Sequence, residues 1–171
     1  IGRLVGSEMC IRDRFYAMHE KNIDLTGVAY KQNNKGADLF FKEIREKFIK
    51  NQLYKGGNSR LLSESLSQNN VLILLSDQDA KNKGTIVKFF NINSSTHSGA
   101  AILSKRNKCP LIYVSITKIN GSYEVKFDEI KTTNSVEEIV QSYTSKIEKT
   151  IIRAPEQYFW FHKRWKSVRK Y

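Results

Sequence analysis

Val71-Leu-Ile-Leu-Leu-Ser-Asp-Gln-Asp79 sets an aliphatic run directly ahead of a polar segment that opens with two carboxylates. A run this short, bounded by polar residues, is the pattern of a strand buried on both faces. Strands of that kind belong to parallel sheets covered by helices. The run falls far below the roughly 20 apolar residues that a bilayer-spanning helix needs, so it is core and not anchor.

Upstream, the spacing predicts a helix over residues 59–68. Beyond the Gly56-Gly57 break it predicts another over residues 37–50, with Phe40, Ile44 and Phe48 on one face. A short strand over residues 25–30 precedes it, closed by the polar stretch Lys31 to Gly36, and Phe15 to Lys21 reads as the end of a helix. Downstream, Asp77 to Ser95 reads as a long irregular segment interrupted by Val87 and the pair Phe89-Phe90. Loops of that length are usually functional. Residues 96–106 read as a helix, and residues 111–116 and 123–127 as strands joined at the hairpin signal Asn120-Gly121. Ser135 and Glu138 form a capping-box pattern. The helix they open carries Val136, Ile139, Val140, Tyr143 and Ile147 at a 3.6 period and ends before Pro155.

Helices that separate strands predict an α/β fold, a single domain whose mixed, mostly parallel sheet is flanked by helices. In such sheets sites gather where loops leave the strand ends, which directs attention to the segment after Leu75. The chain's 171 residues, 40% of them hydrophobic, suffice for one substantial core.

Lys and Arg outnumber Asp and Glu by 29 to 17, a formal charge of +12 with an isoelectric point near 9.7. That balance favours polyanionic partners: nucleic acid, anionic lipid or an acidic carrier protein. Cys10 and Cys109 fit neither a disulfide framework nor a zinc site, and Cys109, beside Pro110, reads as buried filler.

Asp77 and Asp79 suit a metal or the orientation of a base, but the default for Asp at a loop start is a turn. His97 lies between Thr96 and Ser98, yet adjacency in sequence does not bring a base to a nucleophile across a fold. Helix capping by Thr96 or Ser98 is the simpler reading. His19 and Asp24 satisfy His-x-x-x-x-Asp, and a solvated helix end running into a strand is favoured over catalysis. The tail has the most unusual composition, with Tyr158, Phe159, Trp160, Phe161 and Trp165 interleaved with His162, Lys163, Arg164 and Lys166. Such a mixture stacks bases and holds phosphates, or sits at a membrane interface, or packs as an ordinary C-terminal segment.

The first residues are set apart from fold reasoning. Val5 to Asp13 matches one reading frame of the transposase adapter used in shotgun sequencing, and Leu4 and Arg14 fit the flanking bases. Residues 1–14 are therefore read as adapter-derived, and the natural chain as starting near Phe15.

The stretch Ala154-Pro-Glu-Gln-Tyr-Phe-Trp-Phe-His-Lys-Arg-Trp-Lys166 resembles the C-terminal signature of the bacterial lipid A biosynthesis acyltransferases. Gly27 to Lys31, Asp38 to Arg45, Asp77 to Asp79, Val87 to Phe90 and Thr96 to Ala100 recur in family order, so the resemblance spans residues 15–171 as the C-terminal portion of one acyltransferase domain. It implies transfer of a fatty acyl chain from acyl carrier protein to a hydroxyl of a lipid A precursor, in lipopolysaccharide biosynthesis, at the cytoplasmic face of the inner membrane. It implies no cofactor or metal and no nucleic acid.

In the family mechanism a His-x-x-x-x-Asp/Glu histidine deprotonates the acceptor hydroxyl, which attacks the carrier thioester. The family places that motif ahead of the helix preceding the Val-Tyr-Lys strand, hence upstream of Phe15. His19 lies too close to the strand, and the chain as it stands is expected to be inactive. The residues left to bind substrate or shape the site are Arg45, Asp77, Asp79, Thr96, Ser98, His162 and Arg164. Arg45 is the candidate phosphate or carboxylate contact, because its planar fork suits both. The alternatives are an acyltransferase for another polar lipid, or a basic nucleic-acid-binding protein with Asp77 and Asp79 as a nuclease metal site.

Overall fold

The computed structural model describes residues 3–6, 25–29, 31–47, 49, 51–54, 56, 59–68 and 70–169. The expected helix end at residues 15–21, His19, Asp24, Cys10 and Phe48 lie outside them. In chain order the strands are β1 (Arg3–Gly6), β2 (Leu25–Ala29), β3 (Asn51–Tyr54), β4 (Val71–Leu75), β5 (Thr85–Phe89), β6 (Ile92–Thr96), β7 (Leu111–Ile119) and β8 (Ser122–Ile130). The helices are α1 (Lys35–Glu46), α2 (Ser59–Ser67), α3 (Gly99–Asn107) and α4 (Val136–Arg153).

One sheet has the order β3-β2-β4-β1-β7-β8. All its pairings are parallel except that of β7 with β8, which register antiparallel from Leu111↔Ile130 to Ile119↔Ser122. This is the mixed, mostly parallel α/β sheet that the sequence predicts. β4 occupies the predicted residues, and β1 lies within the segment read as adapter, where the sequence predicted no strand.

Both faces of the sheet's inner strands are covered. On one, Val71 and Ile73 of β4 and Val114 of β7 pack with Leu25 and Ile49. On the other, Leu111 and Tyr113 of β7 pack with Ala100 and Ala101 of α3 and with Ile139, Val140, Tyr143, Ile147 and Ile151 of α4. Alternate residues of one strand thus serve two cores, the reason a parallel-sheet strand reads as continuously apolar.

α4 starts where predicted. Ser135 Oγ accepts the Glu138 N–H at 3.2 Å, and the Glu138 carboxylate accepts the Ser135 N–H at 2.9 Å, closing the capping box. Asn120 and Gly121, with φ of 50° and 82°, make the predicted hairpin turn between β7 and β8, which run longer than expected.

Four expectations are corrected. Residues 77–95 are irregular only in their first part: a 3-10 turn at Lys81–Lys83 leads into the antiparallel hairpin β5–β6, with Phe90 and Asn91 at φ 49° and 60°. Two positive φ values give the turn whose twist matches paired strands, here without a glycine to announce it. The helix predicted over residues 37–50 runs Lys35–Glu46, and the chain then forms edge strand β3. Its expected core face is not buried, since Phe40 is 57% exposed and no residue of α1 is buried; beside an edge strand the sheet offers only partial cover. Cys109 is half-buried and not packed in a core.

Candidate functional site

Ser76, Asp77 and Asp79 leave the carboxyl end of β4 and turn inward, each at most 6% exposed. The turn is fastened to the hairpin: Asp79 bridges Thr96, and the Ala80 N–H donates to Ser95 O at 3.1 Å. Gly84 permits this closeness, because a Cβ there would stand 2.2 Å from Ser95 Oγ and 2.8 Å from Thr96 O.

The tail closes over the same place. Past α4, Pro155–Gln157 and Trp160–His162 form 3-10 turns, so the chain doubles back in short steps. Tyr158 is buried, and its hydroxyl donates to Asp77 O at 3.1 Å. The Asp79 N–H donates to His162 Nε2 at 3.0 Å, and Ser167 Oγ donates to Asp79 Oδ1. Trp165 packs on Phe89, ring centroids 5.5 Å apart, and its Nε1 donates to Phe89 O at 3.3 Å.

Arg164 is the centre of this contact. It is 3% exposed, donates from Nη1 to Ser95 O at 2.7 Å and from Nη2 to Thr96 Oγ1 at 2.5 Å, and lies over the Phe89 ring at 5.0 Å. Burial pulls its pKa down, while Tyr158 and the carboxylates of Asp79 and Asp77 push it back up. A guanidinium stays charged under such conditions, so one fixed cation faces two buried carboxylates. Asp79 Oδ2 and Arg164 Nε are buried with no hydrogen-bond partner among the described residues.

Accepting from a backbone N–H requires a free lone pair on His162 Nε2, which places the proton of the neutral ring on Nδ1. Burial, then Lys166 and Arg164, lower the His162 pKa and favour that neutral form, with Asp79 opposing them. Tyr143 of α4 completes the surroundings: burial pushes its phenol far up, so it remains a donor, to His97 O.

Five of the seven residues singled out from sequence, Asp77, Asp79, Thr96, His162 and Arg164, therefore meet in one cluster. Thr96 ends β6 and takes a hydrogen bond from Arg164, which corrects its expected capping role. Ser98 occupies the N-cap position of α3, but only its carbonyl acts there, accepting from Ile102 N at 3.0 Å. Arg45 lies apart from them in the last turn of α1, where its Nε donates to Gln52 of edge strand β3 at 2.7 Å. Sequence reasoning passed over Ser95, Ser167 and Tyr158 as partners. Only the lack of any Asp or Glu from residue 158 to the end hinted that the tail's cations seek acids elsewhere.

The cluster is built to hold a loop in place beside the strand ends. Among the described residues no three His, Cys, Asp or Glu side chains gather as a metal site, and the positive charge facing Asp77 and Asp79 is a guanidinium. No helix among them is long and apolar enough to cross a membrane.

Comparison with known proteins identifies the family. The chain is similar to the lipid A biosynthesis palmitoleoyltransferase of Escherichia coli (strain K12), with 30% identity over 116 residues, covering 64% of this chain and 38% of that protein. The lipid A biosynthesis acyltransferase of Shigella flexneri matches with the same identity and coverage. The chain thus spans 38% of the length of these curated relatives. Residues 14–167 match the family described as bacterial lipid A biosynthesis acyltransferase, and with nearly the whole chain matched, this protein belongs to that family.

Proposed function

We propose that this chain is the acceptor-side portion of an enzyme that moves a fatty acyl chain from acyl carrier protein to a hydroxyl of a lipid A precursor, in lipopolysaccharide biosynthesis at the cytoplasmic face of the inner membrane. The observation that carries the reading is the closure of the signature tail onto the loop after β4 by Tyr158, His162, Arg164 and Ser167. In this reading the tail fixes the position of the strand-end loop, and Arg164 and the carboxylates of Asp77 and Asp79 hold one another's charge in a dry setting. His162 is neutral with Nε2 already occupied by the Asp79 N–H, so it is a positioning residue and not the base. The base is the family's His-x-x-x-x-Asp/Glu histidine, upstream of Phe15, and this chain alone transfers no acyl group.

Transfer breaks the thioester C–S bond and forms an ester C–O bond. The acceptor's proton passes to the base and then to the departing thiolate, and no cofactor is needed. Arg45, away from the cluster and bonded through Nε to Gln52, is the proposed contact for a phosphate or carboxylate of the acceptor, and Ser98 a proposed polar neighbour at the start of α3. The formal +12 charge fits three anionic partners, namely the phosphorylated lipid, the leaflet and the carrier protein.

Rejoining the chain to its upstream coding sequence and assaying acyl transfer from carrier protein tests the proposal. Transfer to a different polar lipid would correct the acceptor. Salt-sensitive nucleic-acid binding without any acyl transfer would replace the reading.

A further inference from the structure

The tail faces two ways. Tyr158, Arg164 and Trp165 point into the protein, while Phe159 and Phe161 are 57% and 88% exposed, and Trp160, edge-on to Tyr158 at 4.9 Å, still leaves 47% of its surface outside. The Phe159 and Phe161 rings lie 6.0 Å apart, an exposed apolar pair on consecutive tight turns. This segment is held firmly from both sides. Gln157 exchanges hydrogen bonds with the Lys118 backbone at 2.9 and 2.8 Å, Trp160 Nε1 donates to Pro155 O at 2.8 Å, and His162 and Arg164 anchor its C-terminal side. The fold therefore spends well-anchored backbone on presenting large aromatic side chains to the outside. Lys163, Lys166 and Arg169 are exposed within the same short stretch, and no acidic residue follows Tyr158. Aromatic rings beside exposed cations, with no anion among them, complement a surface that is negatively charged outside and apolar just beneath.

We infer that Phe159, Trp160 and Phe161, rimmed by Lys166 and Arg169, form a docking knob that inserts into the headgroup region of an anionic phospholipid bilayer. The inference rests on the reading of the chain as part of a lipid-modifying enzyme and names the surface by which it meets its membrane. A rigid knob orders nothing on insertion, so little conformational entropy opposes binding. Because the knob adjoins the residues that clamp the loop after β4, docking sets the height of that loop above the lipid surface.

The test is cosedimentation of the full chain with vesicles of equal parts phosphatidylglycerol and phosphatidylethanolamine, and with vesicles of phosphatidylcholine alone. Binding is expected to the first and to be on the order of tenfold weaker for Phe159→Ser/Phe161→Ser. Lys166→Gln/Arg169→Gln is expected to lose most of the preference for anionic lipid. In Trp165→Phe, where Trp160 is the one tryptophan left, emission should shift to the blue on vesicle addition and be quenched by bromine-labelled lipid. The serine changes fall on exposed rings and should leave the unfolding midpoint unchanged; Phe161→Ser alone serves if the double variant does not fold. Binding that is equal in wild type and folded ring variants would overturn this surface while leaving membrane association intact. Failure of the wild-type chain to bind any vesicle, or ring-dependent binding to single-stranded nucleic acid instead, would overturn it outright. Vesicle binding as described, with no acyl transfer by the rejoined enzyme, would sink the enzymatic reading and leave the knob standing.

Discussion

Arg164→Ala should be the most damaging single change in the tail, and the size of its effect can be worked from its surroundings. Ser95 O keeps the Ala80 N–H when the guanidinium is removed, and Thr96 Oγ1 can turn to another partner. The hydrogen bonds themselves are thus a minor part of the loss. The larger part is the loss of the buried cation whose charge the carboxylates of Asp79 and Asp77 sense, and removing one partner of such a set typically costs about 3–5 kcal/mol. Loss of the stack on Phe89 adds to it. Against a typical domain stability of about 5–15 kcal/mol, a loss near 3 kcal/mol leaves the chain folded but fragile. With a urea slope of about 2 kcal/mol per molar, the unfolding midpoint should fall by about 1.5 M. Arg164→Lys keeps the charge and loses the fork, so it should fall about half as far. Adding Asp79→Asn to Arg164→Ala should recover part of the loss, since the uncompensated charge is then halved. A midpoint change below about 0.5 M for Arg164→Ala, or no recovery in the double variant, would refute the charge argument.

Gly84→Ala places a methyl group against Ser95 and Ala80, and should cost about 1–3 kcal/mol in urea unfolding, with β5–β6 amide exchange accelerated. Ser135→Ala removes the capping box of α4 and should cost about 1 kcal/mol by the same measurement. The neutral ring of His162 is favoured in the folded state, so its pKa there lies below that of the unfolded chain, which binds the extra proton first as pH falls. Its contribution is full above the unfolded value of about 6.5 and is lost as pH falls through the lower folded value. Stability measured from pH 7.5 to 5 should accordingly decline, and His162→Gln, whose amide oxygen still accepts the Asp79 N–H, should flatten the decline.

What the sequence reveals is what local chemistry determines. β4, the capping box of α4 and the Asn120-Gly121 turn are each written in a few adjacent residues, and each stands where it was expected. The hairpin β5–β6 escaped because its turn uses Phe90 and Asn91 where a glycine would have signalled it. Yet Thr85 to Phe89 alternates as a strand should, with Val87 and Phe89 buried and Ile86 and Lys88 exposed. β3 escaped because nothing punctuates the passage from α1 into Asn51–Tyr54 and its side chains are only partly buried. Asp77, Asp79, His162 and Arg164 were legible as candidates through the family signature. Their convergence was not, since the contacts that unite them cross more than 60 residues of chain, from Ser95 to Arg164 and from Asp79 to His162. Nor does an arginine between a lysine and a tryptophan announce that it, alone of the tail's cations among the described residues, turns inward.

The central claim is that this chain completes an acyltransferase whose signature tail positions the loop after β4. Its most direct test is acyl transfer by the protein rejoined to its upstream coding sequence. Acyl carrier protein loaded with a fatty acid serves as donor, a lipid A precursor as acceptor, and the ester product is identified by mass. The account predicts a singly acylated product, no product from the chain alone, and a slower rate with an unchanged pH optimum in the folded Arg164→Lys variant. A folded, rejoined protein that forms no ester, or one that transfers equally well with Arg164→Lys, would contradict it.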